Sequence, residues 1–194
     1  MVPNPITVTI QTTVEQAIEL MKINSIRHLP VADAHKQLQG LLTLADLKQA
    51  LIPSMLGDLT LADMMIKKPL TVGPDDDIEI AAQLIYKHKI SGLPVTRKGK
   101  LVGILTESDI LRAFIDMMGI LNASSRIDVE VEDKPGSFKK ASHIIQDKGG
   151  DIINVGMTVR QKGKRTYFFR LFSCKTDIIK KALEAEGVKV YFRF

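Results

Sequence analysis

Two short runs of this sequence place a threonine and an aspartate three residues apart, behind a glycine and two aliphatic residues. They are Gly40-Leu41-Leu42-Thr43 with Asp46, and Gly103-Ile104-Leu105-Thr106 with Asp109. Where a buried strand meets a helix, such a pair points a hydroxyl and a carboxylate into one cleft. The carboxylate can accept both vicinal hydroxyls of a ribose, while the threonine hydroxyl and helix N-terminal amides can hold a phosphate. The same residues also suit a plain helix cap, with the acid favouring the positive end of the helix dipole. A single copy reads as a cap. Two copies, each following a Leu-Pro-Val run, point to a ligand site.

The recurrence reaches well beyond these residues. ITVTIQTTVEQAIELMKINSIRHLPV from Ile6 is answered by LTVGPDDDIEIAAQLIYKHKISGLPV from Leu70, with Ile26 opposite Ile90, Pro30 opposite Pro94 and Val31 opposite Val95, 64 positions apart. After a one-residue deletion the Thr-x-x-Asp runs match at 63. An internal repeat of this length fixes architecture before any single motif does, and two copies of one unit pack about a pseudo-two-fold axis that creates paired clefts. Each copy reads as strand, helix, strand, strand, helix. Thr13 and Gln16 form a capping box ahead of the stripe Val14, Ala17, Ile18 and Met21. In the second copy Asp77 is the expected cap, ahead of Ile78, Ala81, Ala82 and Ile85. The last helices run through Leu47, Ala50 and Leu51, and through Ile110, Leu111 and Phe114.

Residues 119–125 read as a linker, small and polar without periodicity. Beyond it Ile127, Val129 and Val131 alternate with acidic residues as a half-buried strand. Asp133-Lys134-Pro135-Gly136 turns the chain into a helix that points Phe138, Ala141 and Ile145 inward. Strands over 152–159 and 166–172 follow, joined by a turn at Lys162-Gly163-Lys164. Then come a helix capped near Asp177 that stops at Gly187, and a strand over 188–194. The order βαββαβ is that of a ferredoxin-like sandwich. The fold class is therefore α+β: repeats over 1–57 and 58–118, a linker over 119–125 and a third unit over 126–194.

Catalytic signals are close to absent, and an enzyme is not expected. His28, His35, His88 and His143 lack the short spacings of a zinc site, so no metal is expected. Gly99-Lys100 is followed by Leu101, not the Ser or Thr of a phosphate-binding loop. The single cysteine, Cys174, excludes an intramolecular disulfide and suits a reducing compartment. Without a basic and apolar leader or an apolar run of about 20 residues, a cytoplasmic location with no membrane contact is expected. The net charge of +5 is uneven: residues up to 121 sum to −1 and the remainder to +6. Such a basic part can attract nucleic acid through Lys139, Lys140, Arg160 and Arg165, yet basic residues on helices more often form a solvated face.

The Ile-x-x-Leu-Pro-Val strand followed by Gly-hydrophobic-hydrophobic-Thr-x-x-Asp resembles the cystathionine-β-synthase (CBS) domain, present twice as a Bateman pair over roughly 1–118. Asp-x-Pro-Gly-x-Phe at 133–138 with the βαββαβ order is similar to an ACT domain. The order CBS–CBS–ACT resembles the acetoin-utilisation regulatory proteins of bacteria. The resemblance implies adenosine-type ligands (AMP, ADP, ATP or S-adenosylmethionine) acting as regulators, with no required cofactor. Carried onto this sequence, one cleft joins Ile90, Ser91, Gly92 and Pro94 to Arg27, His28, Thr43 and Asp46. The other joins Ile26, Arg27, His28 and Pro30 to Thr106 and Asp109. Arg27, with His28, supplies the cation that phosphate wants, so the cleft of Asp46 is the expected nucleotide site and the second is weaker or takes an uncharged adenosyl group. Such pairs usually carry a threonine where Ile66 stands, and Met1 falls opposite Met65, leaving a short lead-in to the first repeat. For the ACT-like unit the family pattern implies a small ligand, often an amino acid, near Asp133, Pro135 and Gly136, and a homodimer that signals to a protein partner. Two other readings stay open here: an oligomerisation module with empty clefts, and a transcription-linked regulator using the basic C-terminal part.

Overall fold

Helix α1 (Val14–Ile23) begins where its capping box demands: Thr13 Oγ1 accepts the Gln16 amide at 3.2 Å and Gln16 Oε1 accepts the Thr13 amide at 3.0 Å. In this computed structural model, which describes residues 1–50, 60–121, 124–158 and 163–191 and no side chain at 49 or 50, the buried stripe of α1 packs on Leu29, Val31 and Leu42. Those residues belong to the antiparallel pair β2 (His28–Ala32) and β3 (Leu38–Thr43), which leads into α2 (Leu44–Ala50). After α3 (Leu61–Met64) the second repeat rebuilds the design with α4 (Ile78–His88), β4 (Gly92–Arg97), β5 (Lys100–Thr106) and α5 (Glu107–Met117). Ala81 and Ile85 of α4 pack on Leu93, Val95 and Leu105. Asp77 stands at the start of α4, but its side chain makes no cap; closing the preceding turn falls to Asp76, which accepts the Gly73 amide at 2.7 Å.

The first strand expected in each repeat shrinks to one parallel bridge, Val8 with Val31 and Val72 with Val95. The cause is proline: the ladder one step earlier would need an N–H from Pro30 or Pro94, which have none. Each repeat's lead-in instead pairs with the other repeat. The short strand β1 (Val2–Pro3) joins β5 opposite Ile104 and Gly103, and Ile66 bridges Leu41 of β3. This reciprocity explains the glycine of the Thr-x-x-Asp runs. A Cβ on Gly40 would lie 2.5 Å from Met65 Sδ, and one on Gly103 would lie 2.8 Å from Met1 Sδ.

The chain divides into two units, Met1–Leu111 and Arg112–Phe194, so the division falls inside α5 and ahead of the segment expected as a linker. The second unit runs β6 (Ser124–Glu132), α6 (Ser137–Asp147), β7 (Ile152–Met157), β8 (Lys164–Phe172), α7 (Thr176–Ala185) and β9 (Lys189–Tyr191), with an antiparallel sheet ordered β7-β8-β6-β9. Phe169, Leu171, Ile127, Val129, Ala141, Ile145, Ile179 and Leu183 form its core. Three details differ from expectation. Phe138 is 42% exposed and stacks at the rim, its ring 5.9 Å from that of Phe169. Helix α7 is preceded by Lys175 as its cap residue, with Asp177 inside the first turn. Asp128, on the face opposite the core, is only 2% exposed, and Arg126 clamps both its oxygens at 2.6 and 2.9 Å. Leu51, the boundary at 57/58, residues 122 and 123, Val159, Arg160, Lys162 and residues 192–194 lie outside the described residues.

Truncating Phe169, fully buried, is expected to cost about 3–5 kcal/mol in urea denaturation, while Ile23→Ala, 72% exposed, should stay within about 0.5 kcal/mol.

Candidate functional site

Thr43 closes β3, Thr106 closes β5, and the two junctions have the same geometry. Asp46 Oδ2 accepts the Thr43 amide at 3.0 Å and the Thr43 hydroxyl at 2.6 Å; Asp109 Oδ2 accepts the Thr106 amide and hydroxyl at 2.9 Å each. The strands facing them start from equivalent backbone kinks, with Ser25 at φ 52° and Lys89 at φ 55°. The main chain is reciprocal too: the Leu44 amide donates to the Arg27 carbonyl at 2.9 Å, and the Glu107 amide to the Ser91 carbonyl at 3.1 Å.

A cavity of about 620 Å3 lies between the repeats within the first unit. The first repeat contributes Arg27, His28, Leu41, Thr43, Leu44, Ala45 and Lys48; the second contributes Ile66, Lys68, Pro69, Leu70 and the run Lys89-Ile90-Ser91-Gly92. Six residues of the expected first cleft therefore share one cavity: Arg27, His28, Thr43, Ile90, Ser91 and Gly92. Asp46 is not in its wall; it holds Thr43 there through the cap. Pro94 is buried in β4, where its carbonyl accepts the Val72 amide at 3.2 Å. Ile66, standing where a threonine was expected, adds apolar wall in place of a hydroxyl. For the second cleft, Ile26 packs on the first repeat's core and the Pro30 carbonyl accepts the Val8 amide at 3.1 Å. Neither they nor Thr106 and Asp109 line the 620 Å3 cavity.

His28 departs from the expectation that it would assist Arg27 as a cation. The residue is 8% exposed; its ring lies 2.7 Å through Nε2 from Ser91 Oγ and rests where a Cβ on Gly92 would come within 2.8 Å of Cδ2. Burial, with Arg27 beside it, pushes the imidazole below its ordinary value of 6.5 against the weaker pull of Glu107 and Asp46. His28 is thus a hydrogen-bonding wedge between the repeats, in surroundings that favour its neutral form.

Three cavity cations were missed from sequence: Lys48, Lys68 and Lys89. Aligning the repeats would have found them, since their counterparts are Leu111, Asn4 and Ser25. Among the described residues no cluster of three or more His, Cys, Asp or Glu suits a metal, and no helix is long and apolar enough to cross a membrane.

In the second unit Gly136 takes φ 87° and opens α6 as expected of that turn. Asp133 is anchored by Arg165, with Nη2 3.3 Å from Oδ2. A separate cavity of about 340 Å3 begins at Ser137 and Lys140 and does not include Asp133, Pro135 or Gly136. Of the basic residues considered for nucleic acid, Lys140 is paired with Glu186 at 2.7 Å and Arg165 with Asp133 at 3.2 Å.

The CBS domain family matches residues 1–53 and 61–116, more than half of the chain, and the chain belongs to that family. Solved structures agree over the same part. The chain is 32% identical to the CBS domain pair of protein MJ0100 in complex with 5′-methylthioadenosine and S-adenosyl-L-methionine, with a TM-score of 0.53 over 57% of this chain and 87% of that one. It is 32% identical to CBSX2 in complex with AMP, a protein of Arabidopsis thaliana, with a TM-score of 0.53 over 60% of this chain and 93% of that one. A structure named for the acetoin utilization protein AcuB of Vibrio cholerae gives 34% identity and a TM-score of 0.57 over 62% and 91%. Among curated relatives, the L-aspartate semialdehyde sulfurtransferase of Methanocaldococcus jannaschii is 32% identical over 57% of this chain, which spans only 21% of that enzyme.

Unfolded His28 titrates near its ordinary 6.5 and folded His28 below it, so as pH falls through 6.5 the unfolded chain takes up a proton that the folded chain resists. Stability should therefore drop on acidification below 6.5. His28→Gln, which can keep a bond to Ser91, should show a shallower drop in denaturant melts across that range.

Proposed function

We propose that this chain is a regulatory module whose CBS pair binds an adenosine-type ligand, an AMP-, ADP- or ATP-like nucleotide or S-adenosylmethionine, in the cleft of Arg27, Thr43 and Ser91. The observation that carries the reading is the 620 Å3 cavity walled by both repeats, large enough for a nucleotide and mixed in character. Leu41, Leu44, Ile66, Pro69, Leu70 and Ile90 offer apolar surface for a base, and Arg27 and Thr43 offer polar partners for phosphate and ribose. The adenosine ligands named for the MJ0100 and CBSX2 structures support it. Because a ligand there touches both repeats, it favours whichever placement of the repeats keeps those contacts, to the extent of its differential affinity.

The second unit, in this reading, is an ACT-like domain that carries the state through a homodimer in the cytoplasm. Its βαββαβ order, the Gly136 turn and the sheet edge at β7 support that role, since an unpaired strand edge invites side-by-side pairing. The match to the AcuB structure supports an acetoin-utilisation setting for the CBS part. A small ligand such as an amino acid at the ACT-like unit belongs to the same proposal, as does an unidentified protein partner.

The two Thr–Asp caps give a matched control. Asp46→Ala and Asp109→Ala should each cost about 0.5–2 kcal/mol of stability. Ligand bound only by the folded chain raises Tm by mass action. In a thermal-shift panel of AMP, ADP, ATP and S-adenosylmethionine, the wild-type and Asp109→Ala chains should gain Tm with at least one ligand, and Asp46→Ala should lose most of that gain. No gain in any chain would leave the repeats as scaffold.

A further inference from the structure

The cavity's positive charge is larger than the Thr-x-x-Asp signature accounts for, and it belongs to one cleft. Arg27, Lys48, Lys68 and Lys89 all line the 620 Å3 space. They come from four separate places: the entry to β2, α2, the lead-in after α3, and the end of α4. Among the described residues none of the four is held in an ion pair; Arg27 lies beside His28, and Lys89 Nζ is 5.2 Å from the Tyr86 ring. The nearby acids are Asp46, whose Oδ2 is taken up by Thr43, and Glu107, whose charge reaches His28.

The repeat makes this excess measurable against an internal reference. The positions equivalent to Lys48, Lys68 and Lys89 are Leu111, Asn4 and Ser25, and the position equivalent to the cavity residue Leu44 is Glu107. One backbone plan thus carries three added cations in one cleft, and in the other no cation at those positions and an added anion. Resting on the adenosine reading above, we propose that Lys48, Lys68 and Lys89 are specificity-determining residues that select a nucleoside polyphosphate, a di- or triphosphate, for this cleft alone. A lone Arg27 suffices for one phosphate group. Four cations lining one cavity exceed that need and match the three to four negative charges of ADP or ATP, with the lysines acting as adaptable point charges along the chain. S-adenosylmethionine, whose sulfonium is positive, is disfavoured by the same field.

The test is calorimetric titration of the full chain with adenosine, AMP, ATP, S-adenosylmethionine and inorganic tripolyphosphate. The chains compared are wild type, the triple variant Lys48→Gln/Lys68→Gln/Lys89→Gln, and a control of equal charge loss, Lys22→Gln/Lys139→Gln/Lys181→Gln. All six lysines are exposed, so both variants should fold. In wild type ATP should bind at least about tenfold tighter than AMP, and S-adenosylmethionine weakest. The triple variant should lose about 10- to 100-fold for ATP, a few-fold for AMP and nothing for adenosine, whereas the control should stay near wild type. If ATP and AMP bind alike in wild type, or the triple variant keeps its ATP affinity, the charge selection is wrong while the adenosine reading stands. If tripolyphosphate alone binds wild type as tightly as ATP, the lysines form a plain polyanion site and the nucleoside selection is wrong. If no adenosine compound binds wild type, the underlying reading fails.

Discussion

Each repeat leaves a strand edge that the other repeat's lead-in completes, and the rest of the first unit follows from that exchange. Leu41 and Ile66 trade both main-chain hydrogen bonds, at 3.1 and 2.9 Å, while Val2 and Pro3 lie along β5 at Ile104 and Gly103. An unpaired buried amide or carbonyl costs on the order of 1–3 kcal/mol, so the edges cannot be left bare cheaply. Satisfying them puts Lys68, Pro69 and Leu70 of the second repeat beside Thr43 of the first. The cavity is therefore a by-product of how the edges are paired. Its two walls come from different repeats because neither repeat closes its own sheet.

Pseudo-symmetry supplies two clefts from one plan, and side chains then make them unequal. The backbone bonds repeat closely: Val8 to the Pro30 carbonyl at 3.1 Å against Val72 to the Pro94 carbonyl at 3.2 Å. Against that constant frame, single-residue differences have direct consequences. His28 and Gly92 are equivalent positions, and the ring of one occupies the space that the other leaves by having no side chain. Two histidines would collide there, and two glycines would leave a gap at the junction of the repeats. The asymmetric pair fills it once and adds a hydrogen bond to Ser91 at 2.7 Å.

Much of this was legible in the sequence, for a physical reason. The period of 64 and 63 fixed the paired repeats, and the apolar spacing of Val14, Ala17, Ile18 and Met21 named the buried face of α1. The βαββαβ order of the second unit was readable from alternation and turns, and the sheet order bears it out. What escaped was whatever depends on partners distant in the chain. The repeat pattern predicts a first strand in each copy, but only the facing Pro30 shows why its ladder shrinks to the one bridge at Val8. Asp128 looked like a solvated acid until Arg126 and the strands beside it removed its water. His28 looked like a second cation because sequence carries no measure of burial.

The site itself divides along the same line. Motif residues were found because the repeat prints them twice: Thr43 and Thr106, Asp46 and Asp109. The lysines were missed because they lie outside the repeated motif runs, on segments that only the fold brings to the cavity. A pair of clefts gains selectivity only where the copies differ. Shared residues build the frame, and Asp46, kept off the cavity wall by its cap on Thr43, belongs with that frame as much as with the ligand. The side chains of Lys48, Lys68 and Lys89 are exposed and held in no ion pair among the described residues, although the backbone of Lys89 forms the kink that opens the facing strand. Long charged side chains brought together from separate elements carry mutual repulsion and ordering cost. That cost is offset when an anion enters, so the residues that break the repeat are the ones through which ligand charge can act on the arrangement of the two repeats.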